Sequence, residues 1–463
     1  MIYFHYMEYR NTAVFDELYK KLNKAQKEAV DIIEGPVMVI AGPGTGKTHL
    51  LTMRIANILR VTDAAPESVL ALTFTESAAH GVRERLTEII GPDAYRVRIN
   101  TFHGFCNDII RRYPGNFKRI IGSLHAGEVD QIRIMERILS DRELTLEHLR
   151  PYGNTFFYVI PILSAIRELK RENVSPKGLE ALLALENERI MGAEDMVYES
   201  GAHKGKVRSK YREALRRVAK NTELLEVFRR YEWELKERKL YDYEDMIVET
   251  INVLDEDEDL LLGLQERHQF ILADEHQDAN ASQNILLEKL SGFHANPNIF
   301  VVGDEKQAIF RFQGATLANF LSFKDRYPEA LVVGMRENYR STQSLLNAAH
   351  SVISEGGGKD IKAFRAPLVA AARPKGANLH AVSLSDTEME ELFVADKIRT
   401  LIVGGVCPEE IAVIYRHNRD AGPFSDIFEQ LDIPHVVLSE SNALTDTDIR
   451  KLIALLKAIS APA

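Results

Sequence analysis

Apolar residues come in short blocks separated by amphipathic stretches. "PVMVI" (36–40), "VLALTFT" (69–75) and "VRINTF" (97–102) are brief, rich in β-branched residues and predict strands. "KTHLLTMRIANIL" after the first block, and the segment from Glu76 to about Ile90, carry apolar residues at helical spacing. From roughly 105 to 250 the pattern is helical almost throughout. Strands resume at "FILAD" (270–274), "IFVVGD" (299–304) and "LVVGM" (331–335), then at "LHAVSL" (379–384), "EIAVIY" (410–415) and "HVVL" (435–438). Apolar strands alternating with helices predict parallel sheets covered on both faces, an α/β fold. The expected organisation is one α/β domain (1–110 and 236–330), interrupted by a helical insertion (111–235) and followed by a second α/β region (331–463). "ISEGGGKDIKAFRAP" (353–367) is the most loop-like stretch, and no internal repeat or low-complexity tract is present.

Composition changes this picture little. The 463 residues are 45% hydrophobic and 27% charged, ordinary for a globular chain with ample core. No apolar run reaches the roughly 18 residues of a membrane span. The N-terminus lacks the basic start and small-residue cleavage site of a secretory signal. The two cysteines, Cys106 and Cys407, lie far apart, which predicts a reducing, cytoplasmic setting and no zinc site. The net charge of −10 argues against a surface that is basic all over. It leaves room for a local basic stripe, and "HKGKVRSKYREALRRVAK" (203–220) carries eight Lys/Arg against one Glu.

Two segments carry chemistry. "AGPGTGKT" (41–48) sits between a predicted strand and a predicted helix, the context of a Walker A phosphate loop. Ala41, Gly42, Gly44, Thr45 and Gly46 would wrap backbone N–H groups around phosphate. Lys47 would reach the β/γ-phosphates and Thr48 a Mg²⁺ ion. The loop names the fuel, ATP or a related nucleotide, and not the work done. "ILADEHQDAN" (271–280) ends a strand in an acidic pair. Asp274 is placed to hold Mg²⁺ and Glu275 to polarise an attacking water as general base, which favours hydrolysis over transfer to a hydroxyl. Gln277 and Asp278 can relay to another segment. "VVGDEKQAIFRFQGA" (301–315) is the candidate partner: Gln307 can hydrogen-bond a γ-phosphate, and Phe310 and Phe312 can stack on bases.

These motifs and their order resemble the UvrD/Rep/PcrA-type superfamily 1 DNA helicases over about residues 20–460. "LNKAQKEAV" (22–30) resembles the family's Q motif, and "LTFTESAAHGVRERL" (72–86) and "NTFHGFC" (100–106) resemble its DNA-contacting motifs. "YDYEDMI" (241–247), "DEHQD", "GDEKQAIFRFQGA" and "ENYRST" (337–342) match further boxes. The resemblance implies two RecA-like motor domains, the first holding a helical DNA-contacting insertion. It implies that Gln26 reads the adenine edge, Tyr339 stacks on adenine and Arg340 contacts the γ-phosphate. It implies that Phe74 and Phe312 stack on single-stranded DNA, with Phe102 and His103 as further DNA contacts. It implies an ATP- and Mg²⁺-dependent helicase or translocase of 3′→5′ polarity acting on single-stranded and 3′-tailed duplex DNA, with repair or nuclease partners left open.

The chain departs from the family pattern at His49 and Gln313, where arginines are usual, and at His276, where an aromatic is usual. Nothing after "DTDIRKLIALLKAISAPA" resembles the family's last two motifs. The expectation is therefore a chain that stops before the second domain's insertion, with impaired turnover on its own. The competing function is an ATP-gated single-strand-binding subunit without unwinding activity. A small-molecule kinase would have no use for the DNA-facing boxes.

Overall fold

The computed structural model describes residues 12–197, 205–304, 306, 317–354, 367–372, 376, 379–438 and 447–460. They fall in two units, Met1–Ala377 and Asn378–Ala463. In the first, α1 (Thr12–Lys21) and α2 (Lys24–Asp31) precede β1 (Val37–Ala41), α3 (Lys47–Val61), β2 (Val69–Thr73), α4 (Glu76–Ile90), β3 (Arg98–Thr101) and α5 (Phe102–Arg112). Helices start where short polar side chains cap them: Thr75 accepts from the Ala78 N–H and Thr101 from the Gly104 N–H. The insertion comprises β4 (Leu124–His125), α6 (Glu128–Ser140), α7 (Val159–Arg171), α8 (Pro176–Met191), α9 (Ser209–Glu237) and β5 (Leu240–Tyr241). The chain then returns through α10 (Asp245–Glu256), α11 (Glu258–Arg267), β6 (Phe270–Ala273), α12 (Ala281–Ser291), β7 (Ile299–Gly303), α13 (Leu317–Arg326) and β8 (Leu331–Met335). β9 (Glu337–Asn338), α14 (Gln343–Ser354) and β10 (Val369–Ala370) complete this unit.

Six parallel strands form one sheet in the order β3-β2-β6-β7-β1-β8. Successive side chains point to opposite faces. Val37, Val39, Ala71, Leu272 and Val302 pack with α3 and α4 on one face, while Met38, Leu70, Leu72, Ile271 and Val301 pack with α5, α10 and α12 on the other. Burial on both faces is why these strands read as continuous apolar runs. β8 pairs with β1 from Val37↔Leu331 to Ala41↔Met335, so a strand assigned from pattern to the second domain closes the first sheet.

The insertion has its own core, in which Ile134, Ile138, Ile162, Ile166, Phe228 and Tyr231 are buried together. A buried ionic cluster ties it to the motor. Lys170 on α7 lies 2.5 Å from Asp242, 2.7 Å from Asp245 and 2.6 Å from Glu232. Arg119 meets Glu232 and Asp245 from the other side and reaches Glu249 at 2.7 Å. The three carboxylates hold the Lys170 ammonium charged despite full burial. Ser282 on α12 donates to the Lys170 carbonyl at 2.7 Å.

The second unit contains α15 (Thr387–Val403), α16 (Ala421–Gln430) and α17 (Thr447–Ser460), with Ala395, Ile398, Phe428 and Ile433 buried together. The strands expected at 379–384, 410–415 and 435–438 do not form among the described residues. An apolar, β-branched run carries strand propensity, but a strand also needs a neighbour for its N–H and C=O groups, and these segments have no ladder partner there.

Candidate nucleotide site and nucleic-acid face

β1 ends in Ala41, fully buried, and the loop after it turns through Gly44 (φ 69°) and Gly46 (φ 90°) into α3. Both are left-handed conformations that favour glycine. Thr45 is buried and its hydroxyl donates to the Gly42 carbonyl at 2.7 Å, bracing the loop. Packing is close at both ends of the loop. A Cβ on Gly42 would stand 2.7 Å from Leu368, and one on Gly44 would stand 2.7 Å from both Arg340 and Asn338. Lys47 and Thr48 occupy the first turn of α3, where unpaired N–H groups and the helix dipole favour an anion. His49 follows, partly buried, with its pKa lowered by burial and by Arg85.

The acidic pair lies at the end of the neighbouring half of the sheet. The Lys47 ammonium contacts the Glu275 carboxylate at 2.6 Å. Asp274 is 5% exposed, and burial with repulsion from Glu275 raises its pKa to about 6. A divalent cation would relieve both causes, and Asp274 with Thr48 supplies the hard oxygen donors that Mg²⁺ prefers. Glu275 sits in the left-handed region at φ 47°, a conformation that costs a non-glycine residue on the order of 1 kcal/mol and concentrates at functional sites. Gln277 donates to Glu275 at 2.8 Å, and its carbonyl oxygen accepts the Asp304 N–H at 2.8 Å. Gln277 thus links the carboxylate to the end of β7. Asp278 is buried with its pKa raised to about 6, first by desolvation and then by Glu275. His276 is a core residue, bonded to Asn284 at 2.7 Å.

The far side of the pocket comes from the chain after β8. Asn338, fully buried, donates to the Pro43 carbonyl at 2.5 Å and accepts from the Arg340 and Ser341 N–H groups. That turn holds Tyr339 and Arg340, both exposed, against the phosphate loop, and the Tyr339 N–H donates to the Gly44 carbonyl at 2.8 Å. Gln26 donates to the Thr45 carbonyl at 3.1 Å and accepts from the Asn23 N–H at 3.0 Å, which leaves each end of its amide one further hydrogen-bonding position. Asn23 caps α2 and donates to the Tyr339 hydroxyl at 3.0 Å. Sequence reasoning missed Asn23 and Asn338. The signal for Asn23 was there, an Asn three residues before a Gln at a helix start.

The expected DNA contacts separate. Phe74 is half-buried at the end of β2. Phe102 is 3% exposed and packs with Leu70 and Leu72, so its ring is closed to a surface ligand. It follows a β3 end whose next residue starts a helix, and the turn points it into the core. His103 is partly buried and stacks on Tyr243 with ring centroids 3.7 Å apart. Tyr243 is 49% exposed and was not singled out from the sequence. Its neighbours Asp242, Glu244 and Asp245 are all buried and ion-paired, so the backbone beneath the ring is clamped. Gln307, Phe312, Phe310 and Gln313 lie outside the described residues. Cys106 is buried and its thiol is pushed up to about 12, an inert packing residue.

Parallel sheet, phosphate loop, acidic strand end and helical insertion define a P-loop NTPase motor fold of the RecA-like type. Comparison with known sequences narrows the class. The profile described as UvrD/REP helicase N-terminal domain matches residues 22–328, and that described as UvrD-like helicase C-terminal domain matches 333–462. The chain belongs to the UvrD/REP helicase family. It is similar to the ATP-dependent DNA helicase PcrA of Staphylococcus aureus, 29% identical over 96% of this chain and 54% of the relative. The PcrA of Bacillus subtilis is likewise 29% identical, over 97% of this chain and 54% of the relative. The chain thus spans about half the length of the curated relatives it matches. The C-terminal domain match over 333–462 lends no support to the expectation that turnover by this chain is impaired.

Proposed function

We propose that this protein hydrolyses Mg–ATP and uses the energy to move along single-stranded DNA and separate duplex from a 3′ tail. The observation that carries the reading is the contact between the Lys47 ammonium and Glu275 beside a buried Asp274, at the mouth of a glycine-rich loop on which the Asn338–Arg340 turn docks. Lys47 can exchange Glu275 for phosphate oxygens. Glu275, freed but still held by Gln277 at 2.8 Å, is then available to take a proton from water. Thr48 and Asp274 would hold Mg²⁺, which neutralises phosphate charge when bound. Arg340 supplies a further positive charge, Tyr339 a surface for adenine, and Gln26 one donor and one acceptor for its edge. Gln26→Ala should therefore reduce the preference for ATP over GTP. The half-exposed Tyr243 ring, with Phe74, offers a stacking surface for bases.

The test is phosphate release with and without single-stranded DNA, beside strand displacement on a 3′-tailed duplex. Lys47→Ala should abolish turnover. Glu275→Gln should retain ATP binding and lose turnover by about 10²–10⁴-fold, the usual worth of a general base. Turnover indifferent to Glu275 would remove it from the role of base. DNA-gated binding with no strand separation would assign the chain instead to single-strand-binding subunits.

A further inference from the structure

All six strands of the main sheet are parallel, so Ala41 and Ala273, which lead into the phosphate loop and Asp274, share one end of the sheet. At the opposite end, beside the edge strand β3, lies a second pocket of about 310 Å³. Arg98 at the start of β3, Arg111 and Arg112 in the last turn of α5, and Arg267 in the last turn of α11 line it. Among the described residues none of these four arginines is in an ion pair. Asp108 is the one carboxylate in the lining, and it already accepts from Asn100 at 2.9 Å. Glu67, which feels the charge of Arg98, is held by Arg96 at 2.8 Å.

Arginines in a last turn can simply offset a helix dipole. Charge magnitudes argue against that as the whole account. Each helix C-terminus carries roughly half a negative charge, so with Asp108 subtracted as well the pocket retains about two positive charges. The lining also holds a buried histidine. His268 lines the pocket, is 5% exposed, and its Nδ1 is buried with no hydrogen-bond partner among the described residues. Burial first, then the charges of Arg267, Arg98 and Arg112, bring its pKa down to about 4, which places these guanidinium groups around the ring.

We propose that this pocket is an anion site for a phosphate-bearing ligand of about two negative charges, distinct from the nucleotide site. The arginines supply forked N–H donors that match phosphate oxygens. Nothing in the helicase assignment calls for such a site at this end of the sheet.

The test uses the full chain and inorganic pyrophosphate without Mg²⁺, followed by calorimetry. Lys47→Ala, which disables the phosphate loop, should leave one site for pyrophosphate. Adding Arg111→Gln and Arg267→Gln should weaken that site at least about tenfold, as expected for lost charge-assisted bonds, with the anion-free melting temperature unchanged. Arg112→Gln alone should weaken it in the same direction. No binding to the Lys47→Ala protein overturns the proposal. So does binding that all arginine variants retain, including the case in which they only lose stability, which returns them to a helix-end role. A thymidine oligonucleotide that displaces pyrophosphate identifies nucleic-acid backbone as the phosphate source. Failure to displace identifies a small phosphorylated molecule, and either result upholds the site.

Discussion

At the residue scale, the candidate nucleotide site is held by side chains that already have partners. Lys47 pairs with Glu275, Gln277 with Glu275 and Asp304, and Asn23 with Tyr339. Such contacts keep polar groups satisfied while leaving each able to exchange its partner for a ligand. Tyr243 differs. One face of its ring lies on His103 and the side chain is 49% exposed. Tyr243→Ala should weaken single-strand binding by about 1–3 kcal/mol, the worth of one stacked base, with the fold intact. Fluorescence anisotropy with a labelled oligonucleotide measures this. Unchanged affinity in a folded variant would mean that the ring serves only to cover His103.

At the element scale, α2 depends on α3. Arg54 on α3 is 1% exposed and lies over the Phe300 ring at 4.5 Å. It donates to the carbonyls of Ala29, at 2.6 Å, and Ile32, at the end of α2. Asn57 donates to Val30 at 3.0 Å. Burial pulls the Arg54 pKa down to about 9, a cost borne because otherwise the carbonyls would be buried and unpaired. Gln26 is on α2, so the same contacts set its position. Arg54→Met conserves volume and removes the donors. It should destabilise the first unit by roughly 2–4 kcal/mol and also narrow the ATP-over-GTP preference. Urea denaturation and nucleotide titration read the two effects. Lost stability with unchanged nucleotide preference would separate α2 anchoring from adenine selection.

At the scale of the whole molecule, buried ionisable groups set the acid response. His103, His268 and His276 are held neutral, with pKa values brought down to about 3, 4 and 4, chiefly by burial. Depressed folded values mean stability that is present above the ordinary histidine pKa of 6.5 and lost as pH falls toward 4. Asp274 and Asp278, raised to about 6, act in the opposite sense: their contribution is present below about 4 and lost as pH rises through 6. Between these limits each of these histidines that takes up a proton only on unfolding adds roughly 1.4 kcal/mol per pH unit to the slope, and each of these carboxyls that holds its proton in the native state subtracts as much. His103→Gln should lower the slope of unfolding free energy against pH by about that amount between pH 4.5 and 6. An unaltered slope would place the His103 ring in solvent.

The sequence alone determined what is local. Strand blocks and helix periods depend on spacing, so the six strands of the main sheet and the helix from Glu76 to Ile90 were legible to within a residue or two. The phosphate loop, the acidic strand end and the order of boxes were legible because their chemistry needs fixed residue types at short spacing. What depended on long-range contact was not. Phe102 and His103 are adjacent and aromatic, yet the turn at Thr101 sends one ring into the core and the other against Tyr243, 140 positions away in the chain. β8 joined the first sheet because β1 offered an unpaired edge. Three apolar runs in the second unit stayed out of any sheet because strand formation needs a partner, which propensity does not supply. Asn338 looked like one more polar turn residue until folding brought Pro43 beside it, 295 positions away. The four arginines of the second pocket lie on three elements, and only the packing of α5 and α11 beside β3 makes them one charge.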